Sequence, residues 1–112
     1  MYKMDFKEYQ EKAKETAIYP KTSPSWIYPS LGLAGESGEI MEKLKKILRD
    51  SNSKDKEERI IELKKEFGDV LWYLSALATE LNFSLQEIAE ENIEKLQSRK
   101  ERGVLHGSGD SR

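Results

Sequence analysis

The positions of proline and glycine constrain this chain more than any other feature, because they divide it into segments before other residues are considered. All three prolines fall between residues 20 and 29. Apart from Gly68, the glycines fall in 32–38 and 103–109. Proline lacks a backbone donor and clashes with the preceding helical turn, so we expect an ordered loop over 19–30. The long segments between these clusters are predicted to be helical.

Apolar side chains recur at three- and four-residue spacings in four segments, which predicts four amphipathic helices. The expected helices cover about residues 5–16, 31–49, 56–81 and 85–100. Ser30 and Ser84 are the predicted N-caps of the second and fourth helices, and Asn82 is expected to end the third. Because no pattern is typical of strands, the sequence predicts an all-α, four-helix bundle-like fold. Residues 1–112 are expected to form one domain, with a flexible glycine- and serine-rich tail over 101–112.

Composition argues against several classes of protein. Charged residues make up 36% of the 112 residues and hydrophobic residues 37%, so a single core is feasible but must be gathered by helical spacing. The net charge of −2 is not typical of a protein that coats a nucleic acid polymer. No apolar run approaches the ~18–20 residues of a membrane span. Without cysteine there is no disulfide or thiolate metal site, and we expect a cytoplasmic protein.

Two acidic pairs, Glu36 with Glu39 and Glu66 with Asp69, are the strongest candidates for a functional site. A spacing of three residues places both carboxylates of a pair on one helix face, within reach of one cation. Other acids in the chain share this spacing, and a solvated helix face is its ordinary interpretation. These two pairs differ because they lie beside the apolar faces of the two longest helices, with few basic neighbours. Since such carboxylates are costly unless a cation or protons neutralise them, a metal is the simpler explanation.

Two glycines and the choice of ligands refine this interpretation. Gly35 and Gly38 flank the first pair, and glycine destabilises a helix interior by about 1 kcal/mol relative to alanine, which suggests close approach of a backbone or ligand. The alternative is that the helix begins only at Ser37 and that both glycines precede it. The carboxylates are hard oxygen donors. The chain has no cysteine, and its single histidine lies in the tail, so softer ligands are not expected at this site. The carboxylates suit Mg²⁺, or Mn²⁺, better than zinc or a di-iron pair.

Three strings of residues carry a family resemblance. LAGESGEI at 33–40 is followed by EFGDVLWY at 66–73, which gives Glu-x-x-Glu and then Glu-x-x-Asp on successive core helices, and NIEKL stands at 92–96. Over about residues 30–100 the chain resembles the MazG-like nucleoside triphosphate pyrophosphohydrolases. The resemblance implies an all-α enzyme that hydrolyses nucleoside triphosphates between the α- and β-phosphates, giving a nucleoside monophosphate and pyrophosphate. Deoxynucleoside triphosphates are the expected substrates, while the residues themselves leave base and sugar open.

The resemblance also implies a role for each acid. Glu36, Glu39, Glu66 and Asp69 would hold Mg²⁺. Glu39 would in addition orient or deprotonate the attacking water. In this mechanism the protein mainly positions the reactants and neutralises charge.

Substrate contacts are expected from the fourth helix and from two aromatic residues. The resemblance assigns Asn92 to the substrate, and Lys95 and Arg99, four residues apart, are candidates for phosphate contacts. The alternative is that these two bases pair with neighbouring acids at a solvated helix end. Tyr73 and Trp26 are candidates to border or stack on the base, and the alternative is that each packs as an ordinary core residue.

Four short helices leave apolar faces to cover, so we expect a homodimer or homotetramer, as the resemblance also implies. Partners other than the nucleotide and a second copy, such as a nucleic acid polymer or a membrane, are not expected. An alternative of a different class is a non-catalytic helical module that oligomerises or docks a partner. A third interpretation is a family member that binds nucleotides without hydrolysing them.

Overall fold

A computed structural model describes residues 3–50 and 54–112, and all regular secondary structure within them is α-helical. The helices are α1, Phe6–Glu15; α2, Ile27–Arg49; α3, Lys56–Glu80; and α4, Leu85–Glu101. The predicted all-α fold with four helices is therefore confirmed. Residues 51–53 of the expected break between α2 and α3 lie outside the described ranges. Within those ranges, no helix combines the length and the apolar character needed to cross a membrane.

Short polar side chains set three of the helix ends. The Asp5 carboxylate accepts a hydrogen bond from the Glu8 N–H (2.8 Å) and caps α1. Ser84 caps α4 in the same way, with the Glu87 N–H as donor (3.1 Å), as predicted. Asn82 follows the end of α3 with a φ of 60°, which turns the chain out of the helix. Asparagine adopts this left-handed conformation more readily than most residues, so the predicted end of α3 is also confirmed.

The start of α2 differs from the prediction. The helix begins at Ile27, three residues before the predicted cap at Ser30, and contains Pro29 in its first turn. Proline is tolerated there because the N–H groups of a first turn have no intrahelical acceptor. The Ser30 hydroxyl does not cap the helix, since it donates to the Trp26 carbonyl oxygen (2.7 Å). The part of the expected loop from Ile27 onward is therefore helical.

The helices α2 and α3 form an antiparallel hairpin, which is the main packing unit of the chain. Its core includes Ile40, Ile47 and Leu63, each at most 6% exposed. Glu39 lies ten residues before the last residue of α2, and Glu66 lies ten residues after the first residue of α3. In an antiparallel pair with a short connection, such positions are level with each other. The hairpin thus brings the two predicted acidic pairs side by side.

The helix α1 packs across α3, and α4 packs mainly against α1. The Trp72 indole N–H donates to the Thr16 hydroxyl (2.8 Å), which joins the end of α1 to α3. The Gln10 side chain joins three helices, because its amide N–H donates to Thr79 (3.0 Å) and its oxygen accepts from the Leu85 N–H (2.8 Å). The fourth helix therefore does not close a bundle around α2 and α3.

The single chain is more open than a compact domain of its length. Its radius of gyration is 17.4 Å, whereas a compact domain of this size has ~13 Å. Several side chains on the predicted apolar faces are exposed: Leu44 (40%), Ile60 (47%), Phe67 (58%) and Ile93 (53%). Periodicity identified the helices correctly, but the chain by itself leaves part of each apolar face uncovered.

The tail lies along α4, and its flexibility stays a prediction. Gly103, with a φ of 73°, ends the helix, and the Val104 N–H donates to the Arg99 carbonyl oxygen (2.9 Å). The Arg112 guanidinium donates to three main-chain carbonyl oxygens of the tail. Composition suggests flexibility because glycine and serine offer little to pack. In this structure the hydrogen bonds of Arg112 link the last residue of the chain to the rest of the tail.

Candidate metal centre and substrate site

Three of the four predicted ligands converge between α2 and α3. Glu36, Glu39 and Glu66 each offer a carboxylate oxygen, and these three atoms lie within 4.8 Å of one another. Among the described residues, these are the acids whose spacing suits a single metal ion. Asp69 is exposed and lies outside this group, although its charge acts on Glu36. We refer to the first three residues as the acidic cluster.

Glu36 has the least ordinary environment in the acidic cluster. It is half-buried, and its Oε2 atom has no hydrogen-bond partner among the described residues. Burial, followed by hydrogen bonds with Glu39 and Glu66, raises the pKa of Glu36 to about 7. A buried acceptor without a donor is unfavourable unless a proton or a cation completes it. The surroundings of Glu36 therefore suit a cation site.

Lys43, which the spacing of the acids does not single out, joins the acidic cluster from the next turn of α2. Its ammonium group forms an ion pair with the Glu66 carboxylate, across the two helices. The hydrogen bond of this pair lowers the pKa of Glu66 and raises the pKa of Lys43. A sequence signal for Lys43 exists, since it lies four residues after Glu39 and seven after Glu36, on the same helix face.

The donor set of the acidic cluster fits a hard divalent cation. Three carboxylates from two helices supply oxygen ligands, and the single ammonium group of Lys43 offsets only part of their charge. The chain has no cysteine, and its one histidine, His106, stands in the tail. Mg²⁺ and Mn²⁺ prefer such oxygen ligands. Chemically, this arrangement is suited to holding a divalent cation against a polyphosphate.

Tyr73 lies beside the acidic cluster, where Gly32 leaves room for its ring. A Cβ atom on Gly32 would lie less than 3.0 Å from three atoms of the Tyr73 ring. Burial raises the pKa of Tyr73, and the nearby Tyr28 and Glu36 add to the effect. The contact explains why α2 carries glycine at position 32 and why the Tyr73 ring reaches the metal side of the hairpin.

The two glycines beside the first acidic pair lie within a continuous helix. Gly35 and Gly38 lie inside α2, so the alternative in which the helix begins at Ser37 is wrong. A Cβ atom added to either glycine would meet nothing within 4 Å in the described part of the chain. The described residues therefore make no close approach at either glycine.

An aromatic cluster extends from Tyr73 away from the acids. Trp72 and Tyr73 meet edge to face at 5.0 Å between ring centroids, and Tyr19 meets Trp72 in the same way at 6.2 Å. Tyr19 also stacks on Tyr28 at 5.1 Å. The Tyr19 hydroxyl donates to the Glu80 carboxylate (2.7 Å), and burial with this hydrogen bond raises the pKa of Tyr19 to about 12. These contacts fix the proline-containing loop against α3.

Trp26 lies apart from that cluster. It immediately precedes α2, is 43% exposed, and takes part in none of the ring pairs found within residues 3–50 and 54–112. Its side chain is therefore accessible, as a stacking surface requires. No described ring contact joins it to Tyr73, the aromatic residue beside the acidic cluster.

The predicted phosphate contacts stand on α4. Asn92 and Lys95 are exposed, whereas Arg99 is only 3% exposed. The tail residue Asp110 accepts from both bases, at 3.3 Å from Lys95 Nζ and 3.1 Å from Arg99 Nη2. Because α4 packs mainly against α1, the structure does not bring these residues together with the acidic cluster of the same chain.

Comparison with known proteins agrees with the geometry of the site. A family model described as "MazG nucleotide pyrophosphohydrolase domain" matches residues 30–104, a range that contains the acidic cluster, Lys43 and α4. The chain is similar to the Gene 37 protein of Mycobacterium phage L5, at 46% identity over 109 residues, which cover 93% of this chain and 96% of that protein. No solved structure matches the chain. With two thirds of its residues matched in this way, the chain belongs to the MazG nucleotide pyrophosphohydrolase domain family.

Proposed function

We propose that this protein is a Mg²⁺-dependent nucleoside triphosphate pyrophosphohydrolase. The observation that carries the proposal is the convergence of Glu36, Glu39 and Glu66 within 4.8 Å, in a chain of the MazG family. In the proposed reaction water attacks the triphosphate, and the bond between the α- and β-phosphates breaks to give a nucleoside monophosphate and pyrophosphate. Deoxynucleoside triphosphates are the proposed substrates, and Mn²⁺ is proposed as a substitute for Mg²⁺.

The proposed roles of the four acids follow from how exposed each side chain is. Glu36 and Glu66, both half-buried, are the proposed metal ligands with the most fixed positions, and Asp69 is the proposed fourth ligand. Glu39 is exposed, so its carboxylate is the one in the acidic cluster best placed to orient or deprotonate a water while also contacting the metal. A bound divalent cation supplies positive charge that offsets the phosphate oxygens and helps to align the nucleophile.

The base is proposed to lie against the aromatic side of the acidic cluster. Tyr73 is held there by the space at Gly32 and by its edge-to-face contact with Trp72. Trp26 is proposed as a second aromatic surface for the base, and its exposure supports this role. An aromatic wall beside a polyphosphate site favours a nucleotide over inorganic polyphosphate.

The triphosphate needs positive charge beyond the metal, and the proposed sources are Lys95 and Arg99 of α4. Asn92, on the same helix, is proposed as a neutral contact to the substrate. Since α4 of the same chain packs on α1, we propose that these residues reach the acidic cluster of a second copy. Arg99 is covered by the tail, so it meets a phosphate only after Asp110 releases it.

Self-association is proposed for a further reason, the apolar surface of the hairpin. Leu44, Ile60, Ile61 and Phe67 line an open groove of 470 Å³ between α2 and α3, and each of them is at least 40% exposed. A contiguous exposed apolar surface of this kind is typical of an interface. We propose a homodimer or homotetramer, and light scattering that gave a single monomer mass at micromolar concentration would contradict it.

The test of the proposed activity is paired substitution with a matched control. Glu36→Gln and Glu66→Gln should each abolish pyrophosphate release from a panel of nucleoside triphosphates, because each removes a ligand charge while keeping the side-chain size. Glu42→Gln is the control, since Glu42 stands on the same helix but pairs with Lys45 and Lys46. Circular dichroism checks that all three variants stay helical. Retained activity in both cluster variants would reject the proposal.

The apolar groove also favours a second candidate function, a non-catalytic module that oligomerises or docks a partner. The two candidates differ in their response to metal. An NTP pyrophosphohydrolase should show a higher Tm with millimolar Mg²⁺ and a non-hydrolysable nucleotide, because ligands that bind only the folded state stabilise it. A docking module should show no such shift. A member of the family that binds nucleotides without hydrolysing them would show the shift but no pyrophosphate.

A further inference from the structure

Lys43 of α2 is the basic residue beside the proposed metal site. Its ammonium group crosses from α2 to α3 and contacts Glu66 of the acidic cluster. The side chain also lies close enough to Glu39 and Glu62 to feel their negative charges. Among the described residues, Lys43 is the base that forms an ion pair with the acidic cluster. Its position is therefore that of a counter-ion within the proposed metal site.

The ion pair is built in a way that permits exchange. The Lys43 side chain is 48% exposed and the Glu66 side chain 15%, so the ammonium group stands on the solvent side of the carboxylate. Ion pairs with an exposed partner are weak, because water competes for both charges. A lysine side chain is also a long flexible chain with a point charge at its end, which moves without moving the helix.

We propose that Lys43 is an exchangeable counter-ion of the acidic cluster. In the protein without metal it holds Glu66, and it releases this carboxylate when a divalent cation binds. The freed ammonium group then contacts the phosphates of the substrate. This inference rests on the proposed function, because it takes the acidic cluster to be the metal site.

The charges of the surrounding residues support this sequence of events. Once Glu66 belongs to a divalent cation, the ammonium group and the cation repel each other across a short distance, so Lys43 gains by moving away. A bound triphosphate adds about four negative charges on the open side of the cluster. The exposed side of Glu66 is the side on which Lys43 already lies, so the same side chain serves both partners without a change of backbone.

The first test measures the binding of Mn²⁺ alone to metal-stripped protein by titration calorimetry. Lys43→Gln should bind Mn²⁺ about tenfold more tightly than the unaltered protein, the size expected for removing a unit charge ~6 Å from a divalent one in a water-like dielectric. Lys43→Arg keeps the charge and should bind Mn²⁺ within about twofold of the unaltered protein. Lys45→Gln is the matched control. It removes a positive charge from the same helix, but Lys45 pairs with Glu42, which lies outside the acidic cluster.

The second test measures the phosphate half of the proposal with inorganic tripolyphosphate, at a concentration of Mn²⁺ that saturates each variant. Lys43→Gln should bind tripolyphosphate several-fold more weakly, and Lys43→Arg should retain most of the affinity. In turnover assays Lys43→Gln should raise KM more than it lowers kcat, because the ammonium group already contacts the phosphates in the bound ground state.

The outcomes separate the inference from the proposed function. Tighter Mn²⁺ binding and weaker tripolyphosphate binding by Lys43→Gln, with Lys45→Gln unchanged, support the exchange. Equal or weaker Mn²⁺ binding by Lys43→Gln, in a protein that does bind Mn²⁺, overturns it while leaving the metal site intact. Tighter Mn²⁺ binding with unchanged tripolyphosphate affinity also overturns it, because the ammonium group is then not passed to the substrate. If the unaltered protein binds no Mn²⁺, the proposed metal site fails and the inference fails with it.

Discussion

Gly32→Ala is the substitution whose effect follows most directly from the geometry. The new methyl group would lie less than 3.0 Å from three atoms of the Tyr73 ring, so the ring has to move. Tyr73 is not free to swing, since Trp72 lies against it at 5.0 Å between centroids and Gly32 itself forms the opposing surface. We therefore expect the aromatic wall of the proposed substrate site to shift away from α2.

The magnitude follows from two opposed contributions. Alanine stabilises a helix interior by about 1 kcal/mol relative to glycine. Overpacking of a fixed neighbour destabilises a protein by about 1–3 kcal/mol. Gly35→Ala receives only the first contribution, because a Cβ atom there would meet no described residue within 4 Å. The two variants should therefore differ by about 1–3 kcal/mol, or by about 4–12 °C in Tm for a domain of this size.

The assay is a comparison of thermal unfolding curves for Gly32→Ala, Gly35→Ala and the unaltered protein in EDTA. Gly68→Ala is a second control, since a Cβ atom on Gly68 would also meet no neighbouring group within 4 Å in residues 3–50 and 54–112. Near-ultraviolet circular dichroism reports on the aromatic cluster and should change only for Gly32→Ala. If Gly32→Ala raised the Tm as much as the two controls and left the aromatic signal unchanged, the packing of Tyr73 against α2 would be disproved.

Three further outcomes are expected. Burial raises the pKa of Glu36 from 4.5 to about 7 in the folded protein, so the stability of the metal-free protein should fall as pH rises through this range, and Glu36→Gln should flatten a plot of Tm against pH in EDTA. Asp110→Asn removes the carboxylate shared by Lys95 and Arg99; if these bases bind phosphate, KM should fall several-fold, whereas a purely structural latch would change only Tm. Phe67→Lys places a charge in the apolar groove and should reduce the particle mass in light scattering, while Ile18→Lys, at a loop position 92% exposed, should not.

The sequence predicts helices well here because each has a local signal. Ser84 and Asn82 mark the boundary between α3 and α4 by side-chain capping and by a left-handed backbone, both of which depend on single residues. The predicted start of α2 is wrong for an equally local reason. Pro29 reads as a helix breaker, but in the first turn it breaks no hydrogen bond, so the helix includes it.

Contacts between helices were less accessible from the sequence. The spacing of Lys43 from Glu36 and Glu39 places it on their helix face, but its ion pair with Glu66 joins two helices and no spacing along the chain predicts that pair. The sequence predicts that apolar faces remain to be covered, but periodicity does not show which side chains the single chain leaves exposed, as it does Phe67 and Ile60. Three of the four predicted ligands meet in the acidic cluster because level positions of one hairpin carry them, whereas Asp69 lies outside the cluster.

The level placement of Glu39 and Glu66, ten residues from the near ends of α2 and α3, has a consequence for engineering. Ten helical residues span ~15 Å, so this length of α2 and of α3 separates the carboxylates from the connection between the two helices. Adding the same number of residues to the end of α2 and to the start of α3 lengthens the hairpin beyond the carboxylates and leaves their register unchanged. A residue added to one helix alone requires a change in the connection. Without that change, the carboxylates of that helix shift by ~1.5 Å and rotate by ~100° relative to those of the other helix. A reporter domain grafted at the distal tip should therefore leave divalent-ion binding intact.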